Sequence, residues 1–334
     1  MASTIPNEKA SLEPLKSLVE KELLEVNDLI SKTVESSVDL IPLAARNLMS
    51  AGGKRLRPML TLAAAKLCGY REGPRVIPLA ASIEFIHAAT LLHDDVIDDS
   101  ALRRGIPTAK ATWGNQASIL VGDFLFVKAF QLMLQDGSPK ILDLLASASG
   151  RIVEGEILQL TTQGDLETTQ EKHLDVVIRK TSPLFEAAMG VGALVAESPP
   201  SHVEKLMSYG RFLGVCFQLV DDILDYSSLS ATTGKNQGDD FRDAKVTLPV
   251  VIAYRAGTLE EKAFWTRTFV DQQQKEGDFQ QALAYLHKHN ALSQTLEIAQ
   301  SYSVSARKCL DDFSEAPEYP VFKEILQFCL DRSL

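Results

Sequence analysis

The chain has 334 residues, 45% of them hydrophobic and 23% charged, proportions that exclude an intrinsically disordered chain and allow a large apolar core. Its 34 basic residues face 44 acidic ones, a formal charge of −10, which argues against an extended nucleic-acid-binding surface. Four scattered cysteines, Cys68, Cys216, Cys309 and Cys329, lack any CxxC pairing and read as reduced packing residues.

The first thirty residues hold no continuous apolar run, and the first arginine is Arg46. Neither a signal peptide nor an arginine-rich transit peptide is therefore expected. No stretch of about 18 uninterrupted apolar residues occurs either, so the expectation is a cytoplasmic chain without an integral membrane segment. Residues 1–12 are polar and are predicted to be a flexible N-terminus, while the lack of a Pro/Gly/Ser-rich linker makes 13–334 one all-α domain. From Glu13 the apolar residues Leu15, Leu18, Val19, Leu23, Leu24 and Val26 recur three and four apart, the period of a helix. The same spacing predicts helices over 58–68, 76–98, 116–134, 139–163, 172–197 and 201–226, and no convincing strand. Gly52-Gly53, Gly69, Gly137 with Pro139, Pro199-Pro200, Gly234, Gly238 and Pro249 punctuate them, as in long antiparallel helices joined by short loops.

In chain order, the first chemical feature is GGKRLRP, 52–58. With Pro58 at the first helical position, Lys54 and Arg57 fall at a helix N-terminus, where backbone N–H groups favour an anion. The helix over 76–98 ends in LLHDDVIDD. Asp94 and Asp98 lie one turn apart on one face with Asp95 beside them, a repulsive arrangement unless a cation neutralises it. Arg103 and Arg104 follow at once. His87 lies two turns before Asp94 on nearly the same face, and Ala89 and Thr90 lie one turn deeper. In KTSPLF, Pro183 offers no N–H to the carbonyl of Arg179, so the helix should kink near Lys180 and Thr181 and leave oxygens to face a cation, together with Gln218. FQLVDDILDY then repeats the DDxxD spacing as Asp221, Asp222 and Asp225, again between apolar flanks. One such cluster reads equally as a solvated helix end. Two identical ones fit facing walls of a cavity in which Mg2+ takes carboxylates together with substrate phosphate oxygens. Lys235 and Lys245 follow in a loop-rich stretch.

GGKRLRP, LLHDDVIDD…LRRG, KTSPLF, FQLVDDILD and GKNQGDDFRDAKVTLP, in this order and approximate spacing, resemble the trans-isoprenyl diphosphate synthases. The resemblance covers about Arg46 to Pro249, and little marks the chain beyond. It implies an isoprenoid-synthase-type barrel of long antiparallel helices around a central cavity, and a homodimer. The implied reaction is head-to-tail condensation of isopentenyl diphosphate with an allylic diphosphate, using Mg2+, about two to three ions with bound diphosphate. By the resemblance Asp94, Asp98 and Asp221 ligate the metal, with Asp95, Asp222 and Asp225 assisting. Arg103, Lys180, Thr181, Gln218, Lys235 and Lys245 lie around the allylic substrate, and Lys54, Arg57, His87 and Arg104 hold isopentenyl diphosphate.

Where the family commonly has glycine before the second lysine, this chain has Ala244, which unsettles the loop around Lys245. Small residues at Ala89 and Thr90 leave the cavity open beneath the aspartates. The expected product is therefore a long all-trans chain, about C35 to C50, of the kind used as a quinone side-chain precursor, its growth favoured by apolar burial. A short-chain farnesyl or geranylgeranyl synthase is the alternative. A class I terpene cyclase has no use for GGKRLRP and a second DDxxD, and a non-catalytic subunit would not be expected to keep both clusters intact. Asp99, outside the DDxxD spacing, has no evident role.

Overall fold

The computed structural model describes residues 10–50, 53–227 and 237–332, and is 76% helical. Most of the flexible N-terminus expected over 1–12, and Lys235, lie outside the described residues. The Ala10 N–H already donates to Asp331 at 3.1 Å.

The helices are α1 (Glu13–Thr33), α2 (Leu40–Ser50), α3 (Leu56–Leu67), α4 (Val76–Ile97), α5 (Ala109–Trp113), α6 (Asn115–Asp136), α7 (Pro139–Thr162), α8 (Gln170–Lys180), α9 (Ser182–Val195) and α10 (Pro200–Asp225). After them come α11 (Asp239–Arg242), α12 (Leu248–Ala256), α13 (Leu259–Trp265), α14 (Asp278–Lys288), α15 (Ala291–Lys308) and α16 (Tyr319–Asp331). Strands were not expected, yet β1 (Leu102–Arg103) and β2 (Ile106–Pro107) form a small antiparallel hairpin. Two-residue strands are too short to show alternation in sequence.

The helix expected over 172–197 is two helices, α8 and α9, which meet at Thr181. Pro183 sits in the first turn of α9, where its missing N–H costs nothing. The Ser182 hydroxyl donates to the carbonyl of Ile178 at 2.7 Å, so one acceptor freed by the break is satisfied locally. Helix α3 starts at Leu56, which places Pro58 third rather than first, still within the turn that needs no N–H.

Buried α9, built largely from Ala, Gly, Leu, Met and Val, lies between α3 and α10. Its neighbours approach closely: a Cβ on Gly214 of α10 would stand 2.7 Å from the Ser182 Cα. Helix α4 packs between α3 and α6, and α10 against α15. By length and composition α4 and α6 pass the test for a membrane-crossing helix, but 67% of the apolar window of α4 is buried within the fold against 39% for α6. All four cysteines are free thiols, as expected.

Candidate active site

The last turn of α4 carries the first acid cluster. Asp99, at φ 53, closes the helix in the left-handed region. The Ser100 N–H donates to the Asp95 carbonyl at 3.0 Å and the Asp99 N–H to that of Val96 at 3.3 Å, a Schellman closure. Aspartate is one of the few residues that tolerate this conformation, and its exposed carboxylate pairs with Lys110. Asp99 thus has a structural role and stays apart from the cluster. In the hairpin that follows, Arg104 (φ 53) and Gly105 (φ 77) form a two-residue turn with both φ positive, as a type I′ turn requires. The turn folds Arg103 back so that Nε and Nη2 donate to Asp95 Oδ1 at 3.0 and 2.8 Å.

The second cluster ends α10. Asp221 accepts from Arg332 Nη2 at 3.1 Å. Asp222 accepts on Oδ1 from Gln218 Nε2 at 2.8 Å, and the Gln218 amide oxygen accepts from the Thr181 hydroxyl at 3.0 Å. Asp225 accepts from the N–H groups of Asp239 and Asp240 at 3.2 and 3.0 Å and so holds the start of α11. The segment after α10 links the two clusters indirectly: Asp225 holds the start of α11, and beyond α11 Lys245 Nζ stands 3.0 Å from Asp98 Oδ2 and 3.3 Å from Asp243 Oδ2. Burial works against the Lys245 charge, yet Asp98, Asp240 and Asp243 hold its pKa above the usual lysine range. Ala244 does adopt a left-handed φ of 51, and its buried methyl belongs to an apolar cluster with Tyr226, Phe241 and Phe269.

Lys180, at the α8–α9 break, lies 2.8 Å from Glu156 Oε1. The approach depends on Gly155, where a Cβ would stand 2.5 Å from the Lys180 backbone nitrogen. Burial pushes the Asp94 carboxyl up to about 7, opposed by Lys180 and reinforced by Glu156 and Asp98. Burial disfavours the ionised form of this carboxyl.

Opposite sign prevails beside it. Lys54 Nζ lies 4.9 Å above the Phe328 ring, the Arg57 guanidinium 4.5 Å above Phe185, and that of Arg332 4.4 Å above Phe217. Aromatic faces hold cations without neutralising them. Burial, with Arg332 and Arg104 nearby and Asp221 opposing, lowers the Lys54 pKa. Burial also lowers Arg57 to about 10, against Glu84, which instead pairs with Arg55. His87 is driven well below its usual pKa by burial and by Arg57, Arg103, Arg104 and Arg55, so its imidazole is neutral at pH 7. A cluster of cations this dense attracts an anion.

Beneath Asp94, Ala89 is fully buried and the Thr90 hydroxyl donates to the His87 carbonyl at 2.8 Å. Phe85 lies one turn further down α4, fully buried, and Phe126 of α6 stacks at 6.2 Å on His93.

The donors suit a hard divalent cation. Asp94, Asp98 and Asp221 offer only carboxylate oxygens, and the raised Asp94 pKa marks a carboxyl whose ionised form burial disfavours. Among the described residues no three acidic, histidine or cysteine side chains converge into a ready-made cage. Mg2+ takes one or two carboxylates and completes its shell with water and substrate oxygens. Glu156, His173 and Arg332 join the site without having been expected there. A glutamate or histidine in an amphipathic helix has no local mark, and Arg332 reaches Asp221 only through the packing of α16 on α10.

The polyprenyl synthetase family model matches residues 38–286. The octaprenyl diphosphate synthase of Escherichia coli is 40% identical over 307 residues, covering 92% of this chain and 94% of that one. Among solved structures, a decaprenyl diphosphate synthase from Rhodobacter capsulatus superposes with a TM-score of 0.92 at 44% identity, over 97% of this chain and 100% of that one. A polyprenyl synthase from Caulobacter crescentus, complexed with calcium and isoprenyl diphosphate, superposes with a TM-score of 0.94 at 43% identity, over 98% and 100%.

Proposed function

This chain belongs to the polyprenyl synthetase family of prenyl-transferring enzymes, and we infer that it condenses isopentenyl diphosphate head-to-tail with an allylic diphosphate, in an Mg2+-dependent reaction, to a long all-trans chain of about C35 to C50. The observation that carries the reading is the Lys245–Asp98 contact at 3.0 Å, which ties the first acid cluster to the segment whose start Asp225 of the second cluster holds. The names of the octaprenyl and decaprenyl relatives support the long product.

When bound, Mg2+ on Asp94, Asp98 and Asp221 supplies positive charge against the diphosphate oxygens as the allylic bond breaks. Arg103, Lys180, Lys245 and Arg332 each pair with an acid. Once those acids have other partners, these cations are free to turn to the leaving diphosphate. Lys54, Arg57, Arg104 and neutral His87 hold isopentenyl diphosphate. Thr181 and Gln218 present oxygens to the allylic cation without supplying a free water. Lys235 takes part in the same reading as a diphosphate ligand. The enzyme is read as cytoplasmic, its product a quinone side-chain precursor.

The test is the purified chain alone with labelled isopentenyl diphosphate, farnesyl diphosphate and Mg2+. Incorporation that a chelator abolishes is expected. An inert chain that becomes active only with a second protein contradicts the reading and favours a subunit of a heteromeric synthase.

A pH dependence follows from Asp94. A carboxyl raised from 3.8 to about 7 holds its proton across most of that window, so the metal-free protein loses stability as pH rises from about 4 towards 7. Loading Mg2+ with diphosphate must displace that proton. Calorimetry in buffers of different ionisation heat should record proton release below pH 7 that fades by pH 8, after subtracting release from chelation by free diphosphate. Release that does not change between pH 6 and 8 contradicts this.

We also read the chain as a homodimer. Leu120, Val127 and Leu134 repeat every seven residues along α6 and stay 66%, 53% and 64% exposed, and α7 adds exposed Val153, Ile157 and Leu160. Such a stripe suits an isologous helical interface. Val127→Glu with Leu134→Glu should turn a sedimenting dimer into a monomer, and a dimer that survives both changes would place the interface elsewhere.

A further inference from the structure

Helix α8 presents two side chains on one face, seven residues apart: Lys180, paired with Glu156, and His173. His173 is buried, and its Nε2 stands 3.3 Å from Asp222 Oδ2, on α10. Neither atom makes a hydrogen bond, because the two face each other out of line. Asp222 is itself buried, with its other oxygen held by Gln218. Two buried polar atoms in such proximity, each unsatisfied, mark a contact that a small ring rotation completes.

Resting on the function read above, we propose that His173 is a positioning residue for the allylic half of the site, acting through Asp222 on the amide of Gln218. A carboxylate only accepts hydrogen bonds, so Asp222 fixes the NH2 of Gln218 towards itself and the amide oxygen towards Thr181, whose hydroxyl donates to it. That oxygen keeps a second lone pair for positive charge developing on the allylic carbon. The flipped amide would present its positive end there instead. His173 matters because its ring, turned into line, donates to the far oxygen of Asp222, 3.3 Å away. With no neighbour on Oδ2 the carboxylate is free to rotate towards another donor, and the Gln218 amide loses its orientation. The groups read as holding isopentenyl diphosphate and the three aspartates read as ligating the metal are other side chains; Asp222 is read as assisting at the metal, and a titration with Mg2+ separates that role.

The test is a mutant cycle on the full chain. His173→Phe keeps a ring of similar size and removes the donor. It should lower kcat about tenfold with an unchanged KM for isopentenyl diphosphate, while the calorimetric affinity for inorganic diphosphate with Mg2+ stays at the wild-type value. His173→Gln, which still donates, should restore most of the rate. His173→Phe combined with Gln218→Leu should be no slower than Gln218→Leu alone. Should His173→Phe fail to fold by circular dichroism, His173→Asn, too short to reach Asp222, replaces it in the cycle. The proposal is overturned by a first variant within about twofold of wild type, by losses that multiply in the double variant, or by a loss that excess Mg2+ repairs, which would put His173 on the metal side. A wild-type chain without condensation activity removes the functional reading and this proposal together, whereas an active wild type with any of those three outcomes removes this proposal alone.

Discussion

Asp94→Asn is expected to lower kcat about a thousandfold, the scale reached when one preorganised group that stabilises transition-state charge is removed, with KM for isopentenyl diphosphate little changed. The prediction has a second half that a merely damaged protein would not satisfy. Ionised Asp94 is held against burial, with Glu156 and Asp98 adding to the strain on its charge. A neutral asparagine removes that penalty, so at pH 8 the metal-free variant should melt higher than wild type, while losing the stabilisation that Mg2+ with inorganic diphosphate gives the wild type. A thermal melt with and without those ligands reads both signs. A variant that keeps more than about a tenth of wild-type kcat contradicts a metal role for Asp94.

Ala89→Phe should cut the product to about C15 to C20. Ala89 is fully buried in α4, little more than one turn beneath Asp94, with Phe85 one turn below it. In a close-packed interior an added ring forces its neighbours off their rotamers and costs about 1–3 kcal/mol. In a tunnel that opens for a growing chain the ring has room, and the loss falls on product length. Chromatography of the dephosphorylated products and a melting curve separate the two: a shorter product at near-wild-type stability supports a tunnel past Ala89. A strongly destabilised variant that still makes the wild-type product length assigns Ala89 to ordinary core.

Much of this was legible in the sequence because it is local. Helical period, the glycine and proline punctuation and the DDxxD spacing all lie within a few turns, and Pro183 marked the α8–α9 break at Thr181. The errors of extent are local too: periodicity runs through a break of one residue, Thr181, and a two-residue strand pair has no period to read. Long-range pairings were not legible. Asp98 meets Lys245 across 147 residues and Arg332 meets Asp221 across 111, contacts that exist only after α10, α11 and α16 have packed. His173 and Glu156 belong to this class, since each is an unremarkable polar residue until α7, α8 and α10 are brought together. The same holds inside the acid clusters. The two share a spacing, but what the assisting aspartates touch differs: Asp95 folds against Arg103, Asp225 holds the start of α11 and Asp222 joins Gln218. Asp99, opaque as sequence, closes α4 and pairs with Lys110.

The central claim is a long product built by this chain alone. Its most direct measurement is the length of the chain formed from labelled isopentenyl diphosphate and farnesyl diphosphate with Mg2+. Products clustered at about C35 to C50 are predicted from the small side chains of Ala89 and Thr90 beneath Asp94, and products that stop at about C15 to C20 with the wild-type chain would contradict it.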